Sequence, residues 1–62
     1  MVLDRIIEME LEFLKRSRVP TRVFLNIANY NALISELDEN RYFQVIHNMK
    51  IEIVKSTQVV VI

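Results

Sequence analysis

The chain has 62 residues, with eight basic and eight acidic side chains, one histidine and no cysteine. This length allows one domain at most, and the missing cysteines exclude disulfides and thiolate metal sites. A single histidine is too little for an imidazole zinc site, and a formal net charge of zero gives no global attraction to nucleic acid or to an acidic membrane.

The first predicted element is a helix over residues 2–15, VLDRIIEMELEFLK. Its apolar residues recur at spacings of four, three and four, which is the period of a helix. A neighbouring apolar row with Leu3, Ile7 and Leu14 widens the stripe beyond what one packing partner needs. We therefore predict an interface with a second copy or with another protein. The residues assigned to it are Val2, Ile6, Met9, Phe13 and Leu14.

A basic junction follows this helix. Its cations are Lys15, Arg16, Arg18 and Arg22, and they surround Pro20. Cations suit the negative end of a helix dipole, and the proline forces the helix to stop. The junction therefore indicates first of all a boundary between a helix and a strand. The alternative is a nucleic-acid contact in which the same four cations bind phosphates, and a two-fold dimer would double that patch.

A strand and a second helix are predicted next. Residues 21–26, TRVFLN, are rich in strand-forming side chains. Apolar residues then recur at i, i+3, i+4 and i+7, as in an amphipathic helix. These residues are Tyr30, Leu33, Ile34 and Leu37. Either Asn26 or Asn29 can cap the first turn, and residues 38–40 are expected to end the helix.

The C-terminal third carries two predicted strands. Residues 41–49 leave three interpretations open, since they can extend the helix, form a loop or lead into a strand. Residues 50–55, KIEIVK, alternate apolar and polar side chains. Residues 59–62, VVVI, are all β-branched, which predicts a strand buried on both faces. Because only the residues STQ separate the two strands, we expect an antiparallel hairpin.

The element order α-β-α-β-β predicts an α+β fold in a single domain over residues 1–62. Residues 1–18 are expected to form an N-terminal interaction helix, and residues 19–62 a β-α-β-β body with a small antiparallel sheet. Hydrophobic residues make up 52% of the chain, more than a chain of this length buries on its own. This surplus and the uncovered edge of the final strand predict a homo-oligomer, most simply a dimer.

No residue pattern in the sequence indicates an active site. Asp4, Glu8 and Glu12 follow one another at one-turn spacing, but on a short amphipathic helix they are expected to form a solvated face. His47, beside Ile46 and Met49, is expected to be a partly buried structural residue or an interface residue. We therefore predict a non-enzymatic protein without a metal or a cofactor. No apolar run is long enough to span a bilayer and the N-terminus lacks signal-peptide features, so we expect a soluble intracellular protein with no membrane partner.

The segments PTRVFLN and LISEL, with the ending MKIEIVKSTQVVVI, together resemble a group of small phage and prophage proteins. The resemblance covers residues 20–62. Asn26 and Asn48 stand where that group often has glycine. The resemblance implies a β-α-β-β body without catalytic residues and a phage setting, in the cytoplasm of an infected or lysogenic bacterium.

The leading hypothesis is a phage-encoded homodimer that binds an unidentified host or defence protein and inhibits or modulates it. The first alternative is a nucleic-acid-binding accessory protein that uses the basic junction from Lys15 to Arg22. The second alternative is a component of a virion or of its assembly line.

Overall fold

The computed structural model describes residues 1–37 and 44–62, and these form two helices and four strands. The elements are α1 (Val2–Lys15), β1 (Arg22–Leu25), α2 (Ile27–Glu36), β2 (Val45–Ile46), β3 (Met49–Ile53) and β4 (Val60–Val61). A helix followed by a strand, a second helix and further strands in a small mixed sheet is an α+β fold, which confirms the predicted class. The predicted end of the second helix at residues 38–40 lies outside the described residues, whereas the described part of residues 41–49 leads into a strand.

The sheet has the strand order β2-β3-β1-β4. β1 and β3 run parallel, with Val23 opposite Ile51, whereas β4 is antiparallel to β1 and β2 is antiparallel to β3. The prediction of an antiparallel sheet is wrong for the pair β1 and β3, and the sheet is mixed. β2 runs opposite to both central strands, and the tight turn between β2 and β3 reverses the chain, so that β3 points the same way as β1.

The predicted hairpin between residues 50–55 and 59–62 does not form, because β1 lies between β3 and β4. The hairpin of this fold joins β2 to β3, with Ile46 opposite Met49 and a two-residue turn at His47 and Asn48. Both turn residues have positive φ, 47° and 65°. Such a turn follows the twist of the strands and usually contains Asn-Gly, so His47 followed by Asn48 is a weak signal for it.

The two helices pack on the same face of the sheet. The side chains between the layers form one hydrophobic core, which consists of Ile6, Val23, Leu25, Tyr30, Leu33, Ile46, Met49, Ile51, Val59 and Val61. Alternation along the last strand places Val59 and Val61 in this core, while Val60 and Ile62 remain 39% and 49% exposed. The prediction that residues 59–62 are buried on both faces is therefore wrong, since no helix of the described residues covers the second face.

α1 is part of this core. Ile6 is completely buried, and α1 contacts both α2 and β4. An isolated helix of 14 residues is only marginally stable in water, and packing against the sheet supplies the remaining stability. The predicted interaction helix, residues 1–18, and the predicted body, residues 19–62, therefore share one hydrophobic core.

The C-terminus of α1 is closed by a Schellman turn before the proline is reached. The Ser17 N–H donates to the Leu14 carbonyl at 3.0 Å, and the Arg18 N–H donates to the Phe13 carbonyl at 2.9 Å. Ser17 has a φ of 57°, a left-handed conformation that is most often taken by glycine at this position. The backbone thus ends α1 within the basic junction, and Pro20 starts the extended segment that leads to β1.

The start of α2 is closed by Asn26. Its side-chain oxygen accepts a hydrogen bond from the Asn29 N–H at 2.8 Å, so Asn26 is the cap and Asn29 is not. Asn26 has an extended backbone with a φ of −81°, which any residue adopts. The position does not require the glycine that is common there in the resembling phage proteins.

Candidate protein-interaction surfaces

Of the five residues of the predicted interface, four belong to the hydrophobic core or pack against it, and one is exposed. Ile6 is fully buried, and Val2, Met9 and Phe13 are half-buried against the core. Leu14 is 51% exposed. The interface itself stays a prediction, but a partner that contacts α1 must use its exposed side, because withdrawing Ile6 would leave a cavity in the core.

The exposed side of α1 carries an apolar row. Leu11 and Leu14 are 50% and 51% exposed, and Ile7 is half-buried one turn earlier. These residues stand at i, i+4 and i+7 and lie on one line along the helix, which we name the α1 ridge. The apolar row predicted from the sequence contains Ile7 and Leu14 but omits Leu11. Leu11 follows Ile7 by four residues, and this spacing places it in the same row.

Acidic side chains border the α1 ridge. Asp4 and Glu8 are exposed along one side of it. On the other side, the Glu10 Oε1 atom lies 3.0 Å from Nδ1 of His47 in the β2–β3 turn. This contact joins the middle of α1 to the tip of the hairpin, and it gives His47 a structural contact.

The four cations of the basic junction do not form one surface in a single copy. Lys15, Arg16 and Arg18 are exposed around the end of α1, and Lys15 Nζ lies 3.5 Å from the exposed carboxylate of Glu12. Arg22 lies in β1, where the alternation of the strand directs it to the sheet face opposite the helices. The chain therefore presents these cations on two sides of the molecule.

The sheet face opposite the helices, which we name the open face, mixes apolar and charged side chains. Phe24 lies near its middle, half-buried, with Val60 beside it on β4. Val45 is 56% exposed on β2. On β3, Lys50 Nζ lies 3.4 Å from Glu52 Oε1. This mixture is typical of the water-facing side of a small sheet.

β4 is an edge strand of the sheet. On its inner side, the Ile62 N–H donates to the Arg22 carbonyl at 2.9 Å, and the Arg22 N–H donates to the Ile62 carbonyl at 3.1 Å. Alternate residues of an antiparallel strand bond to the same neighbour, so Val60 and Ile62 face β1. The N–H and C=O groups of Val59 and Val61 consequently point away from the sheet. No described strand pairs with this outer edge.

Glu36, in the last turn of α2, connects the two helices. Its Oε1 accepts a hydrogen bond from the Leu3 N–H and its Oε2 one from the Val2 N–H, each at 2.9 Å. A helix leaves these first N–H groups without an internal partner, so the carboxylate caps α1. The Leu3 hydrogen bond lowers the pKa of the Glu36 carboxyl against the opposing effect of desolvation, and the Val2 hydrogen bond and the charged amino terminus also lower it.

The described residues present their polar and charged side chains at the surface. None of their polar or charged side chains is buried, and Glu8 and Glu12 are both exposed, as predicted for a solvated face. Within residues 1–37 and 44–62, no three His, Cys, Asp or Glu side chains come together as metal ligands. Neither α1 nor α2 is long and apolar enough to cross a membrane.

Comparison with protein-family models, with curated proteins and with solved structures found no match. The resemblance of residues 20–62 to small phage proteins therefore stays a prediction, as do the phage setting and the host partner that it implies. Support for a function comes from the surfaces of the molecule.

Proposed function

We propose that the chain is a small non-enzymatic protein-binding module that inserts the α1 ridge into a groove of another protein. The exposure of Leu11 and Leu14, at 50% and 51%, is the observation that carries the proposal. Amphipathic helices enter such grooves through residues at i, i+3, i+4 and i+7, and the ridge uses i, i+4 and i+7. Because Ile6 anchors α1 in the core, the helix is ordered before it binds, and binding does not have to order it.

The groove that fits this ridge is apolar with a basic border. Burying the exposed half of each leucine contributes on the order of 1 kcal/mol. Asp4 and Glu8 then face the rim of the groove, where cations of the partner favour correct orientation and fast association. In the phage setting that the resemblance implies, such a partner is a bacterial host or defence protein, and the module acts by covering its surface.

Self-association as a homodimer is part of the proposal. Its support is the large share of hydrophobic residues and the number of large apolar side chains that stay exposed in one copy. These are Met1, Leu11, Leu14, Val19, Ile27, Val45, Ile53, Val60 and Ile62. A virion or assembly component would use the same kind of surfaces and differs only in the identity of the partner.

Affinity capture from a bacterial lysate tests the proposal. The baits are the wild-type chain, the double variant Leu11→Asp/Leu14→Asp and the control Ile27→Asp. Ile27 is also an exposed apolar residue, but an acid at the start of α2 suits the helix dipole. We expect a protein that is retained by the wild type and the control and lost with the double variant, and the same pattern when that protein is purified. Identical captures with all three folded baits contradict the proposal.

A titration of nucleic-acid binding against salt concentration distinguishes the nucleic-acid alternative from the protein-binding proposal. If the basic junction binds phosphates, the logarithm of the affinity falls linearly with the logarithm of salt concentration, by about 0.9 per phosphate contact. Replacing Lys15, Arg16 and Arg18 with alanine would then flatten that slope. The protein-binding proposal expects no measurable binding to nucleic acid at low salt.

A further inference from the structure

We infer that two copies of this chain join through the outer edges of their β4 strands, which pair antiparallel about a two-fold axis. The inference rests on the homodimer of the proposed function and assigns its surface. In the dimer, the two sheets become one continuous sheet with the paired β4 strands at its centre.

Within the described residues, no strand pairs with the outer edge of β4, and β4 has no charged side chain or proline to prevent pairing. Proteins block such edges with charged side chains, prolines, bulges or a covering element. Residues 58–62, QVVVI, contain neither a charged side chain nor a proline. The outward N–H and C=O groups of Val59 and Val61 therefore form an accessible template for another strand.

The outward N–H and C=O groups of Val59 and Val61 determine the register in which two β4 strands pair. Two antiparallel copies use all of them when Val59 of one copy lies opposite the partner's Val61, and Val61 opposite the partner's Val59. Each such pair exchanges two hydrogen bonds, which makes about four across the junction. Val60 then lies on the axis, opposite the partner's Val60, as a non-hydrogen-bonded pair with Cα atoms about 4.5 Å apart.

A second copy suits this edge better than an unrelated strand does. A two-fold axis makes the same edge self-complementary, because each contact is repeated by symmetry. β-branched side chains are favourable cross-strand neighbours, and β4 has no charged side chain that would face a like charge across the paired strands. The formal net charge of zero also means that two copies do not repel one another as a whole.

The pairing buries more than the strand edges. Phe24 lies opposite Val60 within each copy, so the open faces join in an apolar row of two phenylalanines and two valines. On the other side of the sheet, Val59 and Val61 extend the two cores toward each other, and α1, which contacts β4, comes to flank the junction. These contacts enlarge the interface toward the roughly 1,200–2,000 Å² that stable dimers bury.

Edge pairing leaves the α1 ridge free to bind another protein. One side of α1 faces the β4 edge, since Arg5 lines the same surface pocket as Val59. The ridge lies on a different side, next to Glu10 and its contact with His47. One dimer can therefore present two ridges to partner proteins.

The first test compares lysines at the two edges of the sheet. Val60→Lys places two like charges opposite each other on the two-fold axis. Val45→Lys also creates a like-charge pair, with Lys50 of the same copy, but this pair lies at the far edge of the sheet, away from the junction. Sedimentation equilibrium should show a dimer for the wild type and for Val45→Lys, and dimerisation at least ten-fold weaker for Val60→Lys. Equal weakening by both lysines would indicate stacking of open faces and would overturn the inference.

The second test removes the outward hydrogen-bond donor and keeps every side chain. A chemically synthesised chain with an N-methyl group on Val61 loses the N–H that points to the partner, while the pairing with β1 is retained. We expect a folded monomer by circular dichroism and sedimentation. The matched N-methyl group on Ile62 removes the bond to the Arg22 carbonyl and should instead lower the melting temperature.

The outcomes separate the inference from the proposed function. A dimer that persists with both Val60→Lys and N-methyl Val61 overturns edge pairing and leaves the homodimer standing. A wild-type chain that is monomeric overturns the homodimer and with it this inference. The capture experiment with the α1 ridge variants is decided independently of both.

Discussion

The Glu36 carboxylate lies against the first turn of α1, with its Oε1 atom 2.9 Å from the backbone nitrogen of Leu3. The two residues are 33 positions apart in the chain, so the end of α2 caps the start of α1. No side chain near Met1 provides a local cap. The positive end of the α1 dipole also attracts a carboxylate. This contact therefore holds the two helices in register above the sheet.

Replacing this carboxylate should destabilise the fold. Glu36→Gln keeps one oxygen for the Leu3 N–H and turns an amide toward the Val2 N–H, which loses its acceptor. We expect a lower midpoint of thermal unfolding. The control is Glu12→Gln, which breaks an exposed ion pair with Lys15 and should change stability by no more than about 0.5 kcal/mol. Equal effects of the two variants would contradict the capping role of Glu36.

The same contact predicts a pH dependence. Because folding lowers the pKa of Glu36, its stabilising contribution is complete above the unfolded value of about 4.3 and is lost as pH falls through the folded value. The difference in stability between the wild type and Glu36→Gln should therefore be full at neutral pH and shrink in acid. Urea unfolding at several pH values measures it, and a difference that stays constant into acid would exclude this linkage.

Ser17 offers a stabilising substitution. Its left-handed φ of 57° is unfavourable for a residue with a Cβ atom and free of strain for glycine. Ser17→Gly should raise the free energy of unfolding by up to about 1 kcal/mol, and Ser17→Ala should not. Chemical denaturation of the two variants checks this, and a stabilising Ser17→Ala would mean that the Schellman turn is not formed.

Two substitutions of Asn48 in the β2–β3 turn should change the stability of the fold differently. Asn48 has a φ of 65°, which asparagine tolerates better than most residues do and glycine adopts freely. Asn48→Gly should preserve or increase stability, whereas Asn48→Ala should cost about 1 kcal/mol. If both variants unfold at the same denaturant concentration, the hairpin is joined by a different turn.

Two residues of the predicted α1 interface should respond very differently to truncation. Ile6→Ala removes a fully buried side chain and should cost about 2–5 kcal/mol, a large part of the stability of a small domain. Leu14→Ala removes a half-exposed side chain and should cost less than about 1 kcal/mol. Thermal unfolding compares them, and a mild Ile6→Ala would contradict the placement of α1 in the core.

Most elements of this fold were predictable from the sequence, whereas β2 and the pairing of the strands were not. Helical periodicity places α1 at Val2–Lys15, and strand-forming residues mark β1 and β3. Alternation along a strand does not say which strand lies beside it, and so the parallel pairing of Val23 with Ile51 and the separation of β3 from β4 were missed. The contact between Glu36 and Leu3 is likewise long-range, and no local pattern indicates it.

The α1 ridge was predictable only in part, because it too depends on contacts between residues that are far apart in the sequence. Ile6 and Leu14 both occupy apolar positions of one helix, and the width of the stripe suggests a second partner without saying which residues meet it. The position of the sheet decides this, because α1 turns Ile6 toward it and leaves Leu14 in water. The open edge of β4 depends in turn on β1 lying between β3 and β4.

We propose that this molecule acts through its surfaces as a self-associating protein-binding module. Multi-angle light scattering of the wild-type chain at micromolar concentration measures the self-association. We expect a particle of twice the chain mass of 7.4 kDa that dissociates on dilution. A single species of 7.4 kDa at every concentration would exclude a self-associating module.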